Sequence, residues 1–452
     1  MYAKIREGFA EFVVGTRYEN LPEEVICQTK QCVLDFLGVA LAGSKVGLAP
    51  VITDMICAMG GEKEATVIGD GRRIPALKAA LINGIAGHTL DMDDGHRYAG
   101  AHPGVVVIPA ALALGERENS TGKDLIEATV VGYETFIRIA SGINPLHAQK
   151  GFHTTGTVGP FGAAAACAKL LGLDEKGVEN ALSIAGLQGA GLLEVTNSGQ
   201  MMKPLHAGRA VEAGVLATLL AGKGAQGPDS IFEGEKGFFQ AFSDVSEPRR
   251  VIRGLGRDFE IMNTYFKLHA TCRGTHASVD AVMEICKNYD IGPEDIKDIE
   301  IETFPHALKL CGHIVHPENI LGAKFSIPYA VAMAVTLGDL AVDRFTEENI
   351  HDEHIKNLAG KVKACVGEEW AKCYPHKRGA SARITTYSGQ SYSFALPLAK
   401  GSPENPAGLE DLKEKFHANA SHAIVSAQAT KLADQILNLE NLLVRDIVEL
   451  LC

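Results

Sequence analysis

The sequence predicts a mainly α protein with a smaller α+β domain, and three observations predict it. Aromatic residues are only 6% of the chain while glycine alone numbers 48, a composition that suits closely packed helices better than an all-β architecture. From Pro103 to Gly222 apolar positions recur at helical spacing almost without a break. Beyond residue 260, period-two runs alternate with helical ones, the pattern of a small α+β domain. At 452 residues the chain exceeds what one hydrophobic core usually serves, so two domains are expected.

Taken in order, residues 2–15 and 22–42 read as helices, the second opened by Leu-Pro-Glu-Glu and closed by Gly43-Ser44. Residues 47–59 read as a third helix, 64–69 as a short extended piece, and 76–87 as the helix that leads into a charged stretch. Helices are then predicted over 105–118, 122–142, 157–171, 174–186 and 206–222. Thr121 and Asp174 stand at two of the starts, each with acid in the first turn. Residues 296–303 and 381–397 alternate as strands, the latter about a Ser-Gly turn, among helices 273–289, 324–337 and 346–360. A Pro/Gly-rich link at 400–406 leads to helices 408–418 and 423–450, which are expected to pack back on the first domain. The expected domains are therefore 1–266 with 401–452, all-α, and 267–400, α+β.

The net charge of −12 argues against a nucleic-acid partner, because phosphate binding needs a basic surface. It does not argue against a small anionic substrate. The ten cysteines form no CxxC pair and mostly lie in apolar runs, as expected of buried, reduced thiols in a cytoplasmic protein. No stretch reaches the ~18 uninterrupted apolar residues of a membrane span, and the N-terminus lacks a signal core.

The chemistry concentrates in residues 88–104. Three imidazoles (His88, His96, His102), three carboxylates (Asp91, Asp93, Asp94) and Arg97 fall there between bland apolar runs. A metal site is one reading, but the spacing matches neither HxxxH nor an EF-hand loop. A capping loop is another, with Asp91 and Asp94 satisfying backbone amides and His88 facing the core. The preferred reading is an acid–base site in which a carboxylate orients a proton-carrying imidazole, with Pro103 and Gly104 aiming His102.

Three later loops supply cations. Gly151-Phe-His153-Thr-Thr-Gly156-Thr has the composition of an anion cradle at a helix start. Met202-Lys203-Pro-Leu-His206-Ala-Gly-Arg209 puts three cationic candidates on one rigid turn, as carboxylate binding requires. Lys267–His276 adds Arg273 and His276 at the domain change, and Cys272 there lacks the signature of a thiol nucleophile. The one GxGxxG, Gly222–Gly227, ends a helix and runs into Pro228, unlike a dinucleotide fingerprint.

These motifs, with Asp35-Phe-Leu-Gly, Asn83-Gly-Ile-Ala-Gly-His-Thr-Leu-Asp-Met-Asp-Asp, His102-Pro, Cys272-Arg-Gly-Thr-His-Ala, Lys324-Phe-Ser-Ile-Pro-Tyr and Lys400-Gly-Ser-Pro-Glu-Asn-Pro, resemble the MmgE/PrpD superfamily over nearly the whole chain. That superfamily includes 2-methylcitrate dehydratases, cis-aconitate decarboxylases and iminodisuccinate epimerases. The resemblance implies a large helical domain built from both chain ends, an inserted α+β lid domain, a cleft between them, a homodimer, and chemistry without metal or organic cofactor. It implies Asp91, His102, His153, Lys203, His276 and Tyr329 as the catalytic set.

Members move a proton at a carbon next to a carboxylate, so fixed cations and proton carriers are needed. The expected roles are Lys203 and His276 on substrate carboxylates, Arg209 in support, and His102 as general acid/base oriented by Asp91. His153 is a second carrier or clamp, Tyr329 a donor from the opposite wall, and His96, Arg97, His206 and Arg273 further substrate contacts. Gly95–Ala101 departs from the Thr-Trp-His-Pro type insert of decarboxylase-like members and is expected to select the acid. A 2-methylcitrate dehydratase-like hydro-lyase is the leading expectation. A cis-aconitate decarboxylase-like carboxy-lyase, an epimerase and a non-catalytic carboxylate-binding dimer are the alternatives.

Overall fold

The computed structural model describes residues 5–196, 202–243 and 251–452. The chain divides into two compact units, Met1–Tyr265 with Gly408–Cys452, and Phe266–Ala407. The first unit is helical. Its elements are α1 (Ile5–Gly15), α2 (Glu23–Gly43), α3 (Leu48–Cys57), α4 (Ala76–His88), α5 (Gly104–Arg117), α6 (Gly122–Ile143), α7 (Leu146–Gln149), α8 (Thr154–Leu170), α9 (Glu175–Gly186), α10 (Lys203–Gly222) and α11 (Phe238–Phe242). Two pairs of two-residue strands interrupt them: β1 (Ala65–Thr66) with β2 (Arg73–Ile74), and β3 (Gly95–His96) with β4 (Thr264–Tyr265).

Small residues decide how these helices pack. α10 lies against α4, α8 and α9, and α6 against α8. A Cβ on Gly214 would stand 2.4 Å from Ala163 Cβ, and one on Gly132 2.4 Å from Val107 Cγ1, so glycine sets both close approaches. α2 is long and apolar enough to cross a membrane, but 78% of its apolar window is buried inside the protein, as befits a core helix. The first helix after the link, Leu409–Ala420, packs on α2, and Lys415 within it donates to Asp35 and to the Met92 carbonyl (2.7 Å). That buried ammonium ties the chain's end to its beginning and to the charged loop.

The second unit carries a four-stranded sheet, β5 (Ile296–Thr303), β6 (Val362–Val366), β7 (Ala380–Thr386) and β8 (Ser391–Leu396), ordered β6-β5-β7-β8. β5 and β6 run parallel and the other pairs antiparallel. The period-two burial of β5 slips by one residue after Ile296 because a bulge lies between Ile296 and Asp298. Helix α12 (Arg273–Tyr289) packs against β7, β8 and helix Ile327–Leu337.

The structure differs from expectation at several boundaries. The link through Ala407 belongs to the second unit, because Phe266 N donates to Gly401 O (2.9 Å) and the Arg273 guanidinium holds the carbonyls of Ala399 and Lys400. The run 324–337 breaks at Phe325-Ser326, where the Ser326 hydroxyl caps a new helix by accepting from Tyr329 N. Asp352 splits 346–360 in the same way, and 423–450 ends its first helix at Leu437. Of the ten free thiols only Cys32, Cys167 and Cys311 are buried, while Cys27, Cys365 and Cys452 are exposed.

Candidate functional site

The charged loop is shaped by residues that α-helix cannot accept. α4 ends at His88, and Asp91 then adopts a left-handed φ of 54°. Gly95 pairs with Tyr265, whose hydroxyl would lie 2.4 Å from a Cβ at position 95. Asp94 closes the loop: its Oδ1 accepts from Gly104 N (3.0 Å) and its Oδ2 from Tyr133 Oη (2.7 Å). Burial pushes the Asp94 carboxyl up to about 7, against the opposing pull of the Tyr133 hydrogen bond.

Asp93 is the hub. Its Oδ2 lies 2.8 Å from His88 Nδ1 and 3.0 Å from His102 Nδ1. Burial alone would raise this carboxyl, yet His88 and His102 hold it well below the usual range. His102 Nδ1 also faces the Asp94 carbonyl at 2.6 Å. Both neighbours of that nitrogen are acceptors, so Nδ1 carries the hydrogen and Nε2 is the basic end. Burial holds His88 down to about 4, so it is neutral at pH 7.

Around this hub the first unit gathers more imidazoles and one ammonium. His153, at the N-terminus of α8, stacks on His88 with centroids 5.6 Å apart and faces His206 Nδ1 through its own Nδ1 at 3.1 Å. One nitrogen of that pair must be unprotonated for the contact to bond. Burial, then nearby Lys203, keeps His153 well below its ordinary range and lowers His206. Lys203 opens α10 and its Nζ meets Asp91 Oδ1 at 2.7 Å. Asp91, His102, His153, Lys203 and His206 are thus brought together, with half-buried Lys203 and His102 at the edge of a buried cluster.

Several expected roles are corrected. Asp91 pairs with Lys203, while His102 is held by Asp93; the left-handed turn at 91 separates the two carboxylates' directions. The hydroxyls of the 151–157 loop serve the protein itself, Thr155 Oγ1 accepting from His102 N (3.2 Å) and Thr157 Oγ1 meeting His147 Nε2 (2.7 Å). His96 Nδ1 accepts from Ala99 N (3.1 Å) and Nε2 faces Glu260 at 3.4 Å, which fixes it to a neighbouring turn. Arg97 is half-buried beside exposed Tyr98. Arg209 points away from the cluster as an exposed partner of Glu212.

In the second unit, His276 Nδ1 meets Arg273 Nη1 at 3.1 Å and Nε2 meets the Thr271 carbonyl at 3.3 Å. Burial, then Arg273, His269 and Lys267, keep His276 well below its ordinary range. Buried Lys267 and the His269–Asp280 pair (2.7 Å) complete the cluster, and Lys267 stands in the Lys267–His276 motif. Tyr329 is not aimed at an open site, for its hydroxyl donates to the Asn349 carbonyl (2.5 Å) and burial raises it to about 12.

His88, Asp93 and His102 place their possible ligand atoms within 4.8 Å of one another. Ligands about 2.1 Å from a tetrahedral ion stand roughly 3.4 Å apart, so the Nδ1–Oδ2 contacts are hydrogen bonds that an ion would have to part. The residues gather a buried carboxylate, several imidazoles and a fixed ammonium in one place, groups that can exchange protons and hold an anion.

Comparison with known proteins shows the family. The MmgE/PrpD N-terminal domain model matches residues 7–251 and the MmgE/PrpD C-terminal domain model residues 269–441, so the chain belongs to the MmgE/PrpD family. It is similar to the cis-aconitate decarboxylase of Homo sapiens, 28% identical with 98% of this chain and 93% of that protein covered. It is also similar to the cis-aconitate decarboxylase-like protein oryM of Aspergillus oryzae (26%, covering 95% and 93%) and the cis-aconitate decarboxylase of Aspergillus terreus (26%, covering 94% and 91%).

Proposed function

We propose that this protein is a lyase of the carboxy-lyase type, acting on cis-aconitate or a close di- or tricarboxylate with side chains alone. The observation that carries the reading is the pairing of a basic His102 Nε2, which has no hydrogen-bond partner among the described residues, with the Lys203 ammonium in one cluster. Relatives matched over nearly their full lengths and named cis-aconitate decarboxylases support it, and they weigh against the hydro-lyase expectation.

In the reaction, Lys203 binds a substrate carboxylate and Asp91 holds the ammonium in place. The carbon–carbon bond to the departing carboxylate breaks, and carbon dioxide leaves without the bonding pair. That pair spreads toward a remaining carboxylate, whose charge Lys203 balances; His102, having first taken a proton from solvent on Nε2, gives that proton to carbon and returns to its neutral Nδ1–H form. The neutral His153–His206 pair keeps a second proton position open beside it. His276, expected on a substrate carboxylate, is kept from protonating by burial and already has partners on both ring nitrogens, so no step is given to it.

A homodimer in the cytoplasm is part of the proposal. Exposed apolar pairs one turn apart on α3 (Val51, Met55) and α10 (Leu216, Leu220) are the kind of face such an assembly covers. Incubation of purified protein with cis-aconitate, citrate and 2-methylcitrate, following both carbon dioxide and unsaturated-acid absorbance, tests the reaction. Carbon dioxide from cis-aconitate is expected; dehydration of 2-methylcitrate without it restores the hydro-lyase reading.

A further inference from the structure

We infer that Asp93 is the positioning residue of this site, a carboxylate shared by two imidazoles, with His88 as the buried second donor that keeps it ionised for His102. The inference rests on the proposed reading of His102 as proton carrier and deepens it. The family resemblance implied Asp91 for this duty, and the geometry assigns it to Asp93.

Three observations carry it. First, both Nδ1 atoms converge on one oxygen, Asp93 Oδ2, at 2.8 and 3.0 Å, in a pocket where the carboxylate side chain is only 2% exposed. A lone carboxylate buried that deeply would take up a proton; two N–H donors hold it as the anion. Second, Asp93 Oδ1 and His88 Nε2 are buried with no hydrogen-bond partner among the described residues. His88 therefore makes one ring hydrogen bond, to Asp93, and the fold leaves its other nitrogen unsatisfied rather than diverting the ring elsewhere. Third, the ring centroids of His88 and His102 lie 5.0 Å apart, and His153 stacks on His88, so His88 is packed between two other imidazoles beside the shared carboxylate.

The consequence is a fixed charge behind His102. The Asp94 carbonyl sets which nitrogen bears hydrogen, and Asp93 adds the negative charge that stabilises the imidazolium form during proton transfer. The work is divided: Asp91 serves the substrate cation Lys203, Asp93 serves the proton carrier. In a serine-protease triad, the corresponding carboxylate-to-amide change costs about 10⁴-fold in kcat.

The test is Asp93→Asn beside Asp91→Asn in the full-length protein. D93N is expected to lower kcat by about 10²-fold or more with KM within about threefold, and to move the kcat/KM limb that reports the proton carrier toward lower pH by about 1 unit. D91N is expected to act mainly on KM. Unchanged limbs with kcat within about threefold of wild type would overturn the inference. If D93N does not fold, ¹⁵N-histidine spectra of wild type, with His102 assigned by H102Q, decide it: a His102 with a strongly hydrogen-bonded Nδ1–H supports the inference, and a neutral His102 with hydrogen on Nε2 and none on Nδ1 overturns it. Full activity in H102Q would instead refute the proton-carrier reading, which separates the two failures.

Discussion

Replacing Lys203 with methionine isolates the substrate-binding half of the account. Methionine keeps most of the apolar stem while deleting the ammonium that lies 2.7 Å from Asp91. The Lys203 side chain is 19% exposed and that of Asp91 11%, so the pair is screened less than a surface ion pair but more than a fully buried one. A hydrogen bond to a charged group contributes about 1.5–3 kcal/mol. At 1.4 kcal/mol per factor of ten, loss of one such contact to a substrate carboxylate predicts a fall in kcat/KM of roughly 10- to 150-fold. Asp91→Asn keeps the ammonium but loosens it, so a smaller loss is expected, and the double variant should lose less than the product of the two. The assay is carbon dioxide release from cis-aconitate across a range of concentrations, with thermal unfolding to verify the fold. K203M within threefold of wild type in kcat/KM would refute the role given to this ammonium.

Further expectations follow from single contacts. His88 is held near 4 in the fold against an ordinary value near 6.5, so the unfolded chain binds its proton first and stability falls as pH drops from about 6.5 toward 4. Buried Asp94 and Glu134, each raised to about 7, act in the opposite sense, so the His88 part is read as a difference: the Tm gap between wild type and H88N should narrow on acidification through that window. Gly104→Ala puts a Cβ 2.7 Å from Tyr133 Oη and 2.8 Å from Asp94 Oδ1, and should cost about 1–3 kcal/mol in denaturant unfolding. Tyr329→Phe should cost about 1 kcal/mol by removing the bond to Asn349 O while leaving kcat within a few fold, which checks that Tyr329 is structural. Chelators should leave turnover unchanged; a loss restored by a divalent ion would show that His88, Asp93 and His102 part around a metal.

The helices were largely legible because their apolar spacing and starts are local signals. Their ends were less so: Ser326 and Asp352 break helices by capping new ones, a choice made by side-chain hydrogen bonds that periodicity does not record. The bulge in β5 was audible only as imperfect alternation. The density of ionisable groups in 88–104 stood out in the sequence, and the Lys203 and His153 loops lie beside it in the fold. What spacing could not resolve was which of three carboxylates within four positions serves which cation. That is decided by the left-handed turn at Asp91 and the Gly95–Tyr265 pairing, which send Asp91 toward α10, Asp93 toward the imidazoles and Asp94 toward Tyr133. Arg209 and Tyr329 looked functional for the same reason, since their motifs name residue types but not where side chains go.

The most direct trial of the central claim is turnover of carboxyl-labelled cis-aconitate in deuterated water. The account predicts one labelled carbon dioxide released and one deuterium placed on a product carbon per turnover, both abolished in H102Q. Absence of carbon dioxide at any substrate concentration, or its undiminished release by H102Q, would contradict it.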